Sequence, residues 1–455
     1  MIKLLRILAA LALIGVVVVL LLIFLPHHLT EPQEDLAADW TPEEGQGEYA
    51  MILGDCAGCH IGADGTPFAG GQPIDSPLGP IYASNITPDP EHGIGEFSLD
   101  DFRAVMYDGV DEEGHDLYPA MPYANYRKLS ERDIRGLYHY FMEEVEPSSN
   151  EVTETSLMFP FNMRFGIRMW KWVALSDPGF EPPFGDEVEN AEMLNRGAYL
   201  VEGPGHCGAC HTPRNLIFAQ KGFTAEDSEF LTGGVIDGWT APDLRQEGTQ
   251  PQDWDQVEMA RFLATGRNAH AGVSGEMELV VQYSTQYWTE NDLLATAAYL
   301  DEIGHDVARE SDAEDDVPSL SEEETVTLLG DADPEMALGP RLYLDNCNAC
   351  HFSDGRGAAN VFPQLAGNAT VTAPVPRGLV QTILEGAELP STEAYPYKLR
   401  MPGFGWRLSD EEVAELATFV RNAWGNDAGA VTAADVAGIR SAIEDSPEGH
   451  GEAAD

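Results

Sequence analysis

The chain contains six cysteines, and all six fall in three copies of one short pattern. The copies are Cys56-Ala57-Gly58-Cys59-His60, Cys207-Gly208-Ala209-Cys210-His211 and Cys347-Asn348-Ala349-Cys350-His351. None is left over for a structural disulfide or a reactive thiol. Two thiols three positions apart with a histidine directly after them form the attachment signature of a c-type haem. The thiols add across the haem vinyl groups as thioethers, and the histidine is placed to take the iron from its proximal side. Structural zinc would want four ligands, usually two such pairs per ion. A thioredoxin-like redox pair would want a βαβ setting, which this sequence lacks. Disulfides within the motifs would leave the histidines unexplained. The expectation is three covalent haem c groups with their iron, on Cys56 and Cys59, Cys207 and Cys210, and Cys347 and Cys350. His60, His211 and His351 are the expected proximal ligands.

The rest of the chain repeats one plan around these motifs. Tyr49, Tyr199 and Tyr343 precede the cysteines on short helices. Gly/Pro-rich stretches follow the histidines: Phe68 to Gly71, Phe230 to Gly234 and Phe362 to Gly367. Amphipathic segments then end at Gly109, Gly266 and Gly386. A methionine loop comes next, and each repeat closes on a helix with a capping-box start at Ser130, Thr289 or Ser409. Met121, Met277 and Met401 occupy the methionine loops and are the expected distal ligands. A lone methionine is more often core than ligand, but a matched place in every repeat reverses that reading. Met259 and His270 are rivals in the second repeat. Met259 lies seven residues before Gly266, where the other repeats have Phe102 and Leu379, so it reads as core. The Pro363 carbonyl is expected to orient His351.

At the N-terminus, Ile7 to Leu25 is a 19-residue run without a charge. As a helix it would span about 28 Å, close to the hydrocarbon thickness of a bilayer. Lys3 and Arg6 precede it, which predicts an anchor in the cytoplasmic membrane with the haem domains on the periplasmic, outer side. A cleaved signal peptide, with Ala37-Ala38 as the nearest small pair, is the competing reading. The expected domains are a signal-anchor helix (1–28), three haem domains (42–150, 191–305 and 335–426), a basic aromatic linker (151–190), an acidic linker (306–334) and an acidic tail (427–455). Between Thr155 and Leu175 there is no acid, but Arg164, Arg168 and Lys171 stand among aromatic residues and methionines. This segment either packs between two haem domains or docks on a membrane interface or partner subunit. The formal net charge of −52 excludes a nucleic-acid partner. The acidity is either a solvated surface or a docking face for a basic redox partner.

Several stretches resemble a known family, the three-haem cytochrome c subunits of membrane-bound alcohol, gluconate and related polyol or sugar dehydrogenases. They are Asn85 to Asp89 with Gly93-Ile94-Gly95, the Tyr118 to Tyr123 loop, Ser284 to Tyr287, Met401 with Trp406 to Asp410, and Arg421 to Gly425. The resemblance covers roughly residues 45–425. It implies a flavin- or pyrroloquinoline-quinone-dependent partner dehydrogenase and delivery of electrons to ubiquinone or another respiratory acceptor. The expected fold is all-α, with three tandem class-I-like cytochrome c domains behind one transmembrane helix. No hydride-transfer fingerprint, nucleophile triad or phosphate loop stands out, so no catalytic residue is expected. A cytochrome feeding a terminal oxidase and a multihaem peroxidase-type enzyme are the alternatives.

Overall fold

The computed structural model describes residues 2–24, 29–37, 39–76, 78–236, 239–246, 250–304 and 317–444. The chain divides into two compact units. One comprises Met1–Ala50, His60–Phe180 and Leu216–Ala219, and the other Met51–Cys59, Glu181–Asn215 and Gln220–Asp455.

In chain order the first elements are helices α1 (Ile2–Phe24), α2 (Gln46–Leu53) and α3 (Cys56–His60), then strands β1 (Pro73–Ile74) and β2 (Ile81–Tyr82). Helices α4 (Leu99–Asp108), α5 (Tyr123–Tyr126), α6 (Glu131–His139) and α7 (Phe165–Ala174) follow. Ser98 starts α4 with a complete capping box to Asp101, and Gly109 ends it in the left-handed conformation at φ 58°. The Ser130 side chain caps α6 by accepting the Asp133 amide. The fully buried Tyr107, Tyr123, Ile134 and Leu137 form the heart of this unit. Burial of Tyr107 is satisfied by its hydroxyl, which donates to the Leu129 carbonyl.

The second unit continues with α8 (Ala191–Glu202), α9 (Gly208–His211), β3 (Gly234–Ile236), β4 (Trp239–Ala241), α10 (Gln256–Thr265), α11 (Met277–Tyr283) and α12 (Glu290–Glu302). It ends with α13 (Glu322–Asp331), α14 (Leu338–Asn346), α15 (Asn348–His351), α16 (Ala369–Thr372), α17 (Arg377–Glu385), β5 (Gly386–Glu388), β6 (Arg400–Pro402), α18 (Asp410–Asn422) and α19 (Ala433–Glu444). One core gathers Tyr343, Val380, Val413, Leu416 and Ala417, and α19 closes it with Val436 and Ile439. That helix lies within the stretch expected as an acidic tail. Part of the expected acidic linker, residues 306–316, lies outside the described residues. Beyond it, α13 is capped by Ser321 and buries Thr325 and Leu329. Leu329 joins that core and Thr325 Oγ1 accepts the Trp424 amide at 3.0 Å, which docks this acid-rich stretch.

The chain is helical, and its only strands among the described residues are three short antiparallel ladders, β1–β2, β3–β4 and β5–β6. Two expectations are corrected here. The chain does not form three tandem domains, because the second and third motifs share one compact unit, which also takes in Cys56 and Cys59. The transmembrane helix, and with it the anchored location in the cytoplasmic membrane, is overturned as well. Among the described residues, no helix is long and apolar enough to cross a membrane.

Candidate haem-binding sites

Each cysteine motif folds into a single helical turn, which follows from its spacing. The His211 amide donates to the Cys207 carbonyl at 2.9 Å, and the His351 amide to the Cys347 carbonyl at 3.0 Å. Cys56, Cys59 and His60 lie together on α3. None of the six cysteines is in a disulfide. The first cysteine of each pair is half-buried. Burial is the main cause that pushes the thiols of Cys56, Cys207 and Cys347 up to about 12. The neutral thiol is favoured at each, which disfavours disulfide exchange through a thiolate. Among the described residues, no three His, Cys, Asp or Glu side chains gather to hold a metal ion.

The three histidines share one arrangement. His60 Nδ1 lies 2.6 Å from the Ser84 carbonyl, His211 Nδ1 2.8 Å from that of Pro242, and His351 Nδ1 2.8 Å from that of Pro363. A carbonyl can only accept, so Nδ1 carries the proton and Nε2 keeps a free lone pair. Burial lowers the pKa of all three rings, partly offset by these bonds, so the neutral, ligating form is favoured. A pair of unbridged cysteines with a neutral imidazole fixed at Nδ1 is the donor set that haem c requires. The Pro363 contact matches the sequence expectation.

The backbone after each histidine is held in a common way that the sequence reading missed. Gly70, Gly233 and Gly357 donate their amides to the backbone carbonyls of His60, His211 and His351. In the third repeat the holding residue is thus Gly357, ahead of the Phe362 to Gly367 stretch. At Gly70, φ is +70°, and a Cβ would collide with the Ser84 carbonyl that receives the His60 ring. Asp55, just before Cys56, was also missed. It is buried, and desolvation lifts its carboxyl to about 8 against the lowering effect of the Gly58 amide.

The methionines are held by three different devices. Met401 lies in β6, opposite Ala387, and packs with Cys347 against the same core. Met277 is the first residue of α11 and joins a small cluster with Val273, Val281 and Leu389. Met121 sits outside regular structure, two residues before α5, and its carbonyl accepts the Tyr123 amide at 2.9 Å. All three are half-buried. The rivals are occupied otherwise. Met259 is buried on α10, as are Phe102 and Leu379 at the equivalent places. His270 stacks on Trp254 and places Nδ1 3.4 Å from the Gln364 side chain.

Comparison with known proteins supports the haem reading. The cytochrome c family model matches residues 336–424, one domain where three were expected. A domain of this family implies haem c bound covalently with its iron. The chain is 41% identical to the cytochrome c subunit of a quinone alcohol dehydrogenase from Gluconobacter oxydans, over 87% of this chain and 82% of that one. It is 39% identical to the gluconate 2-dehydrogenase cytochrome c subunit of Pantoea cypripedii, over 87% and 89%. It is 35% identical to the fructose dehydrogenase cytochrome subunit of Gluconobacter japonicus, over 90% and 85%.

Proposed function

Because the chain belongs to the family of cytochrome c subunits of dehydrogenase complexes, we propose that it carries three haems and relays electrons from a partner dehydrogenase to ubiquinone or another respiratory acceptor. The partner would be flavin- or pyrroloquinoline-quinone-dependent and would oxidise an alcohol, sugar or polyol. The observation that carries the reading is the recurrence of one donor set. At all three motifs, two cysteines outside any disulfide adjoin an imidazole whose Nδ1 is tied to a backbone carbonyl.

In this reading Cys56 and Cys59, Cys207 and Cys210, and Cys347 and Cys350 form the thioethers. His60, His211 and His351 would hold the iron through Nε2, and Met121, Met277 and Met401 through their thioether sulfur. Bound haem iron supplies reversible one-electron chemistry. The chain's own contribution is to fix both axial ligands. A methionine ligand favours ferrous iron and raises the potential relative to two histidines. It also closes the position at which peroxide or oxygen would react, which disfavours the peroxidase alternative.

The test is to mature the full chain in a host that attaches haem c, count haem per chain, and follow its reduction by a partner dehydrogenase with its substrate. Three haems, all reduced by the partner and reoxidised by a soluble ubiquinone analogue, are expected. Fewer than three, or direct turnover of peroxide, would overturn the proposal.

A further inference from the structure

The segment between the first two motifs, read from sequence as a linker, is built around α7. Its polarity is inverted: Arg168, Lys171 and Ala174 are buried, while Phe165, Met169, Trp172 and Val173 are exposed. The cations therefore face the body of their own unit. Burying a lysine is unfavourable unless the ammonium is paired and hydrogen-bonded. Lys171 is both. Its Nζ donates to Asp116 Oδ1 at 2.7 Å and to the Gly109 carbonyl at 2.7 Å, and it lies 5.1 Å from the Tyr123 ring centroid.

These partners bracket the approach to Met121. Gly109 opens the loop at the end of α4, and its carbonyl also accepts the Leu117 amide at 2.8 Å. Asp116 lies on the returning side, paired with Val110 in an isolated bridge. One ammonium thus joins the outgoing and returning halves of the loop. The residues flanking Met121 are gripped from the same segment. Arg164 sits 5.1 Å from the Tyr118 ring, and Trp170 meets Tyr123 edge-on at 6.5 Å. Met277 starts a helix and Met401 lies in a strand pair, so regular structure holds both. Met121 has no such support, and α7 stands in its place.

We propose that Lys171 is a positioning residue that clamps the Met121 loop, so that the haem on the first motif is tuned by a segment outside its own repeat. This rests on Met121 being a distal ligand.

The test uses the full, haem-loaded chain with Lys171→Met, and with Lys171→Met combined with Asp116→Asn so that no carboxylate is left buried alone. Three quantities are read: the near-infrared methionine-to-iron band, the redox titration, and carbon monoxide binding to the reduced protein. With one methionine ligand of three loosened, the band of the oxidised protein should lose up to about one third of its amplitude. One haem should fall in potential, because ferrous iron is no longer favoured by the thioether, and should accept carbon monoxide when reduced, with the other two unchanged. Lys171→Arg should restore most of the band. Met121→Ala is the reference. If it removes one third of the band while both Lys171 variants match the parent in all three readouts, the clamp is wrong. If Met121→Ala leaves the band intact, the ligand assignment fails and the clamp falls with it. Equal loss at all three haems in the double variant would mean general unfolding and would also overturn a local clamp.

Discussion

At the residue scale, each motif histidine is a neutral imidazole with one nitrogen committed to a carbonyl and the other left free. The candidate distal methionine of the second repeat differs from its methionine rival in burial and neighbours rather than in residue type. Met259 and Met277 are both methionines of the second repeat, but Met259 is buried on the inner face of α10 and Met277 is half-buried at the start of α11. Met277→Ala should therefore abolish one methionine-to-iron band of three, lower that haem's potential and open it to carbon monoxide. Met259→Ala should leave the band intact and destabilise the fold by about 2–5 kcal/mol, the usual range for a buried methionine truncated to alanine. Redox titration and thermal melts of both variants check this, and the reverse pattern would give the ligand to Met259. The three cysteine–histidine motifs were legible in the sequence because their spacing is short and fixed. The Ser84 and Pro242 carbonyls were not, because a backbone acceptor leaves no signature in residue type. Asp55 was missed for a related reason: nothing in one aspartate reveals that it will be buried.

At the element scale, the helix before each motif crosses the capped helix that closes the repeat, and a glycine permits the approach. A Cβ at Gly47 would strike the Gly136 carbonyl on α6, one at Gly197 the Ala295 carbonyl on α12, and one at Gly339 the Glu415 carbonyl on α18. Backbone at these crossings cannot move aside as a flexible side chain would. Gly197→Ala should therefore cost about 1–3 kcal/mol through overpacking, despite alanine's better helix propensity. Gly438 on α19 is the control, because a Cβ there meets nothing within 4 Å. Gly438→Ala should be neutral or stabilising by up to about 1 kcal/mol. Denaturant melts of the two variants compare them, and equal stability would remove the crossing argument. The helices were readable because caps and apolar spacing mark them locally. The ladders were not, since strands of two or three residues are too short to show a period of two. Helix α7 was read as a linker because its cations turn inward and its apolar residues outward, the reverse of the pattern that marks a packed helix.

At the scale of the whole molecule, two compact units carry a formal charge of −52, with 77 acidic residues against 25 basic. Several cations are already committed inside the fold: Arg103 to the buried Glu131, Lys171 to Asp116, and Arg421 to backbone carbonyls. They do little to neutralise the outer carboxylates, so folding brings like charges together and self-repulsion opposes it. Screening should relieve that cost. At 0.1 M salt the screening length is about 10 Å, and at 1 M it is about 3 Å, so most of the gain should be complete by roughly 0.5 M sodium chloride. A gain of about 2 kcal/mol would raise the melting temperature of a unit of 150–250 residues by roughly 4–8 °C. A rise that levels off supports self-repulsion, whereas one that continues linearly to high salt points to general salting-out of apolar surface. A flat melting temperature would mean that the carboxylates are solvated without strain on the fold. The same titration separates the two readings of the acidity. If the acidic surface docks a basic partner, the bimolecular rate of reduction by the partner dehydrogenase should fall steeply over the same salt range, because steering is lost with screening. If the acidity serves only solvation, stability should respond to salt while that rate stays level.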